Sequence, residues 1–145
     1  MTVTLRLEGS KELQAALQRA TGEVREAVSK AVIGTALELQ GDIKQSIARG
    51  PASGRTYEKY SPRRTHTASA PGQPPMTDTG RLVNSIEFDR IGDLTATVGS
   101  KLVYAPWLEY GTSRMAARPF FRPAVEEIGP KFMARLERAI GEAIR

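Results

Sequence analysis

The sequence predicts an α+β fold: a small, mainly antiparallel sheet packed by a long N-terminal helix and a C-terminal helix. Three observations carry this. Apolar residues alternate at Val3, Leu5 and Leu7, and again at Leu94, Ala96 and Val98, which is the period of half-buried strands. They recur every four residues between about Lys11 and Arg49. They recur at the same spacing at Ile128, Phe132, Leu136, Ile140 and Ile144. The 145 residues, 40% apolar and 26% charged, suit a single domain over 1–145.

In chain order, a strand over 2–8 is broken by Gly9-Ser10, and Ser10 is placed to cap the helix after it. Leu13 and Leu17, then Val24, Val28 and Val32, then Leu39, Ile43 and Ile47 form one stripe, with most of the charges off it. A helix of nearly forty residues would outrun so small a domain, so it either breaks near Gly22 or reaches another subunit. Gly34 and Gly41 suggest close packing on a neighbour, or a marginal helix. After a long loop, Arg81–Ile86 reads as a short helix capped by Thr77 or Asp78, with Leu82 or Val83 facing inward beside Ile86. Strands near 85–91 and 94–99 flank a Gly92-Asp93 turn and make a hairpin. Residues 103–110 run from a strand end into a helical turn stopped by Gly111, and 112–117 form an exposed loop. The terminal helix is interrupted at Gly129-Pro130, which marks a kink or a second helix start.

Residues 50–79 hold five prolines, three glycines and many Ser and Thr, which predicts a long Pro/Ser-rich loop, functional or ordered by a partner. Its first part is basic, with Arg55, Lys59, Arg63 and Arg64 against Glu58, interleaved with Tyr57, Tyr60 and His66. The chain as a whole carries +5. That balance fits contact with nucleic acid, an acidic protein or anionic lipid without choosing among them. The mixture suits a DNA-facing loop or one that orders on a protein.

The composition excludes several classes. Without cysteine there is no disulfide framework, thiolate zinc site or cysteine nucleophile. One histidine builds no polyhistidine metal centre. No apolar run approaches a membrane span of roughly 20 residues, and the first residues lack the layout of a secretion signal, so the cytoplasm or an assembly made there is expected. Gly50, Gly54 and Gly72 are not spaced as a phosphate loop. His66 has no acid near it in sequence, and Asp78, Glu87, Asp89 and Asp93 read as surface charge. The expectation is therefore no catalytic residue, cofactor or metal.

The densest segment is Tyr104–Pro123. Tyr104, Trp107, Tyr110, Arg114, Arg118, Phe120, Phe121 and Arg122 stand among Gly and Pro. Tyr, Trp and Arg anchor interfaces most often, because they bury large area with few rotamers to lose or offer a rigid polar fork. One of the two phenylalanines is expected in the core.

The stretch YAPWLEYGTSRMAARPFFRPAVEE resembles the hallmark segment of a family of tailed-phage and prophage morphogenesis proteins, and SAPGQPPMTDTGRLVNSI resembles the family's Pro-rich loop and following helix. The family is the lambda-like siphophage head–tail joining group of neck, connector or tail-completion proteins. The likeness spans about residues 20–130. It marks Tyr104, Ala105, Glu109, Tyr110, Gly111, Thr112, Arg118, Pro119, Phe120, Arg122 and Pro123 as fold and ring-contact positions. Upstream it marks Pro71, Gly72, Pro74, Thr79, Gly80 and Leu82. Gly129-Pro130 departs from the pattern, which has the helix run on. The resemblance implies a non-enzymatic virion protein at the head–tail junction, assembled in the host cytoplasm as a homo-oligomeric ring, hexamer or dodecamer. Its implied partners are a portal, adaptor or stopper ring and tail-terminator or tail-tube proteins, with weak contact to DNA in the lumen and none to membrane. The rival reading is a small basic nucleic-acid-binding module driven by Arg55, Lys59, Arg63 and Arg64, and a hydrolase using His66 stands as a control.

Overall fold

Nine elements make up the described part of the chain. The computed structural model describes residues 2–6 (3–6 by backbone), 15 and 18–145. They are β1 (Thr2–Arg6), α1 (Gly22–Ala48), β2 (Thr56–Tyr60), β3 (Arg63–Thr67), α2 (Arg81–Asn84), β4 (Ile86–Gly92), β5 (Thr95–Ser100), α3 (Ala105–Tyr110) and α4 (Arg122–Ala143). The α+β class is as predicted.

The main sheet has the order β1-β5-β4 and is antiparallel throughout. β5 lies in the middle, pairing Val98 with Val3 on one side and with Phe88 on the other. Ala96, Val98 and Ser100 are buried, while Thr95, Thr97 and Gly99 between them are half-buried. That is the predicted alternation, displaced by one residue at each end. The register slips between Arg90 and Gly92, at the turn into β5.

α1 lies across this sheet and against α4. Val24, Val28, Val32, Leu39, Ile43 and Ile47 are all buried, together with Ala31, Thr35 and Ala36, so the four-residue stripe marks its inner face. The helix does begin at Gly22: Gln18 and Arg19 are helical, and Ala20-Thr21 separates them from it. Ser10, Leu13 and Leu17 lie outside the described residues. The glycine reading changes. A Cβ at Gly41 would meet nothing within 4 Å, and one at Gly34 only the Arg135 guanidinium at 3.8 Å, so neither marks a close approach. Arg135 instead crosses from α4 to donate to Thr35 Oγ1 at 2.9 Å and to Glu38 at 2.5 Å.

α4 runs unbroken from Arg122 to Ala143 with Pro130 inside it. Pro130 removes only one backbone donor, and Ile128, Phe132 and Leu136 remain buried on one stripe around it. Ile140 is half-buried and Ile144 exposed, so the stripe outlasts the core it serves.

The largest departure lies in 50–79. Where composition predicts a loop, Thr56–Tyr60 and Arg63–Thr67 form an antiparallel hairpin, closed by a turn at Ser61-Pro62 with a cis peptide bond. Both of its faces are polar, because neither lies on the apolar core, and so no apolar alternation announces it. α2 also starts differently. Gly80 stands at its N-cap with φ +80°, and neither Thr77 nor Asp78 caps it. No helix among the described residues is long and apolar enough to cross a membrane.

Candidate functional site

The segment 104–122 is built around a carboxylate. α3 is six residues long, and its period puts Ala105 and Glu109 inside while Trp107 and Tyr110 face out. Gly111 ends it at φ +77°, and a Cβ there would lie 2.8 Å from the Met115 carbonyl oxygen. Thr112 and Met115 then exchange backbone hydrogen bonds at 2.8 and 3.4 Å, which folds 112–115 into a tight turn. The chain returns alongside α3, with the Arg118 amide donating to the Leu108 carbonyl at 2.6 Å.

This return brings the start of α4 onto Glu109. The Glu109 carboxylate is 3% exposed and accepts three backbone N–H groups: Phe120 at 2.8 Å, Phe121 at 2.9 Å and Arg122 at 2.9 Å. The first N–H groups of a helix have no partner within it, and Pro123 has none to offer. A buried carboxylate meets that need and lies at the end of the helix dipole that favours negative charge.

The expected interface residues therefore divide. Phe120 and Phe121 are both core, their rings 5.0 Å apart, and Glu109 is the internal clasp. These three are corrections to the expectation of a partner-facing surface: each is already buried against its own chain. Tyr104, Gly111, Arg118 and Pro119 are half-buried. Trp107, Tyr110, Thr112, Arg114 and Arg122 are exposed. Val103, which the sequence does not single out, is 74% exposed in the turn before α3, and Trp107 (53%) and Tyr110 (65%) are exposed on the helix itself.

The basic residues divide as well. Arg55 and Arg63 are exposed, and the Arg55 guanidinium rests 5.6 Å over the Tyr57 ring. Lys59 and Arg64 are half-buried on the hairpin face toward the body, and both pair with Asp78, Arg64 at 2.6 Å. His66 Nδ1 lies 3.8 Å from the same carboxylate. The Lys59 hydrogen bond, with the Arg64, Lys59 and His66 charges behind it, holds the Asp78 carboxyl below its ordinary value against the opposing effect of desolvation. Asp78 is thus a shared ion-pair partner where surface charge was expected. The signal that marks it in the sequence is its isolation, since it is the only acid between Glu58 and Glu87 in a basic stretch.

The loop that follows the hairpin meets the 112–118 turn. Gly72 N donates to the Ala117 carbonyl at 2.9 Å and Arg118 Nε to the Ser69 carbonyl at 3.3 Å. A cavity of about 250 Å³ lies between them, with His66, Ser69, Asp78, Tyr104, Leu108 and Arg118 in its wall. Among the described residues no group of three or more His, Asp and Glu is placed to hold a metal ion.

A short helix is thus braced from behind by a buried carboxylate and turns Trp107 and Tyr110 to solvent. The chain belongs to the HK97-gp10-like family, whose model matches residues 11–111 and is described as "Bacteriophage HK97-gp10, putative tail-component". The family makes it a bacteriophage virion component that contacts other virion proteins. No match was found among curated proteins or among solved structures.

Proposed function

We propose that this chain is a non-enzymatic subunit of the head–tail junction, which closes into a homo-oligomeric ring that forms or completes the neck. One ring face meets a portal, adaptor or stopper ring and the other meets tail-terminator or tail-tube proteins. The observation that supports this reading most is the exposed pair Trp107 and Tyr110 on α3, which the Glu109 clasp braces, with Val103 exposed in the turn before it. Burying a large apolar side chain contributes on the order of 1.5–3 kcal/mol, so the two aromatic rings of α3 supply a useful anchor. A head-to-tail contact repeated with a rotation that divides a full circle closes into a ring. The test is the mass of the purified protein, alone and with a connector component, for the wild type and for Trp107→Ala/Tyr110→Ala. Rings or joint complexes that form only in the wild type support the proposal. Equal assembly by both proteins overturns it.

A second reading rests on charge. Residues 49–85 and 110–123 together hold nine Lys or Arg and two Asp or Glu, while the rest of the chain holds twelve and fourteen. Hydrogen bonds from Gly72 to Ala117 and from Arg118 to Ser69 join these two positively charged segments. Arg55, Arg63 and Arg114 there form weak, salt-dependent contacts with DNA phosphates in the lumen. Arg55→Ala/Arg63→Ala tests this: DNA retention and its salt dependence fall, while the mass of the assembly stays unchanged.

A further inference from the structure

The β2–β3 hairpin is held differently from the rest of the fold. It forms a sheet of its own, and no residue of either strand belongs to the apolar core. Two strands alone are marginally stable in water, so contact with the body decides whether this pair is ordered. Among the described residues, every ion pair or hydrogen bond from a strand side chain to the body ends on Asp78. Lys59 and Arg64 reach its carboxylate, Arg64 also donates to its backbone carbonyl at 3.4 Å, and His66 approaches to 3.8 Å.

The base of the hairpin is fixed by other means. Gly54 N donates to the Ala68 carbonyl at 2.7 Å and Ala68 N to the Arg55 carbonyl at 3.0 Å. The two chains approach so closely there that a Cβ at Gly54 would lie 2.3 Å from the Ser69 carbonyl oxygen. Lys59 and Arg64 are direct cross-strand neighbours, and like charges so placed repel unless an anion lies between them. Asp78 is that anion. Removing its charge both detaches the blade and loads it with repulsion.

We propose that the hairpin is a hinged strap, pinned at its base and latched to the body by Asp78, so that loss of this one charge frees the blade while the rest of the fold stays closed. Opening withdraws His66 from the wall of the 250 Å³ cavity that Leu82, Tyr104 and Leu108 also line. The inference concerns the single chain and does not depend on ring formation.

Amide hydrogen exchange on the full chain tests it. In Asp78→Asn, amides of 56–60 and 63–67 exchange at least about tenfold faster, while those of 28–43 and 95–100 keep wild-type rates. Lys59→Ala/Arg64→Ala reproduces this pattern from the hairpin side. Asp78→Lys combined with Lys59→Glu and Arg64→Glu regains protection that Asp78→Lys alone lacks. Wild-type exchange in the hairpin of Asp78→Asn overturns the proposal. So does equal acceleration of the core, or failure of Asp78→Asn to fold, since either makes Asp78 a keystone of the whole structure.

Discussion

The Glu109 carboxylate and the Phe121 amide lie 2.9 Å apart, across twelve residues of chain, and their hydrogen bond joins the end of α3 to the start of α4. The same carboxylate takes the Phe120 and Arg122 amides, so one side chain orders the return of the chain and sets where the terminal helix begins.

Glu109→Ala therefore leaves three amide donors without their acceptor, two of them on fully buried residues. An unpaired buried donor costs about 1–3 kcal/mol, so a loss on the order of 3–5 kcal/mol is expected, read from the midpoint of denaturant unfolding. Glu109→Gln loses less, because its one carbonyl oxygen still accepts. A Glu109→Ala midpoint equal to the wild type contradicts the clasp.

The two halves of the aromatic segment separate by experiment. Trp107→Ala and Tyr110→Ala remove exposed side chains and lower monomer stability by about 1 kcal/mol or less. Phe120→Ala opens a cavity in the core and costs about 3–5 kcal/mol. Thermal melts of the monomer distinguish them; a large loss from Trp107→Ala shows that the ring is a core element instead.

Two glycines with opposite surroundings respond in opposite ways. Gly41→Ala fits open space in the middle of α1 and raises stability by about 1 kcal/mol. Gly111→Ala forces a side chain into a left-handed backbone 2.8 Å from the Met115 carbonyl oxygen and costs on the order of 2 kcal/mol. Parallel denaturant curves check both signs.

The Asp78 carboxyl titrates below its ordinary value of 3.8, chiefly because Lys59 hydrogen-bonds its charged form. A group depressed on folding contributes stability in full above its unfolded value and loses it as pH falls through the folded one. Lys59, Arg64 and His66 are the charged or titratable groups that face it. The hairpin thus stays protected at neutral and mildly acidic pH and opens only as pH falls through the depressed Asp78 value, below 3.8. A carboxyl NMR titration with hairpin exchange followed over the same range checks this; release near neutral pH contradicts it.

The elements that face the core are legible because burial imposes a period on the residues that undergo it. Val24 to Ile47 on α1, Ile128 to Leu136 on α4 and Ala96-Val98 on β5 repeat at the spacing of their own backbone. The hairpin is not legible, because TYEKY and RRTHT are polar on both faces and their order comes from Asp78, eleven residues beyond β3. The aromatic segment stands out by composition, yet composition does not say which ring turns inward. Trp107 and Phe120 look alike as sequence; the period of α3 turns the first outward, and the Glu109 clasp holds the backbone of the second in the core.

The sequence by itself determined the α+β class, the inner faces of both long helices, the central strand and the likeness to a head–tail joining family, since each is written in local spacing or a contiguous motif. Only the tertiary structure decided that Glu109 is a clasp, that Phe120 and Phe121 are core while Val103, Trp107 and Tyr110 stay outside, and that two of the four basic candidates are held by one aspartate. Those outcomes depend on hydrogen bonds and ion pairs between residues eleven or more apart in the chain, and no local period records such pairs.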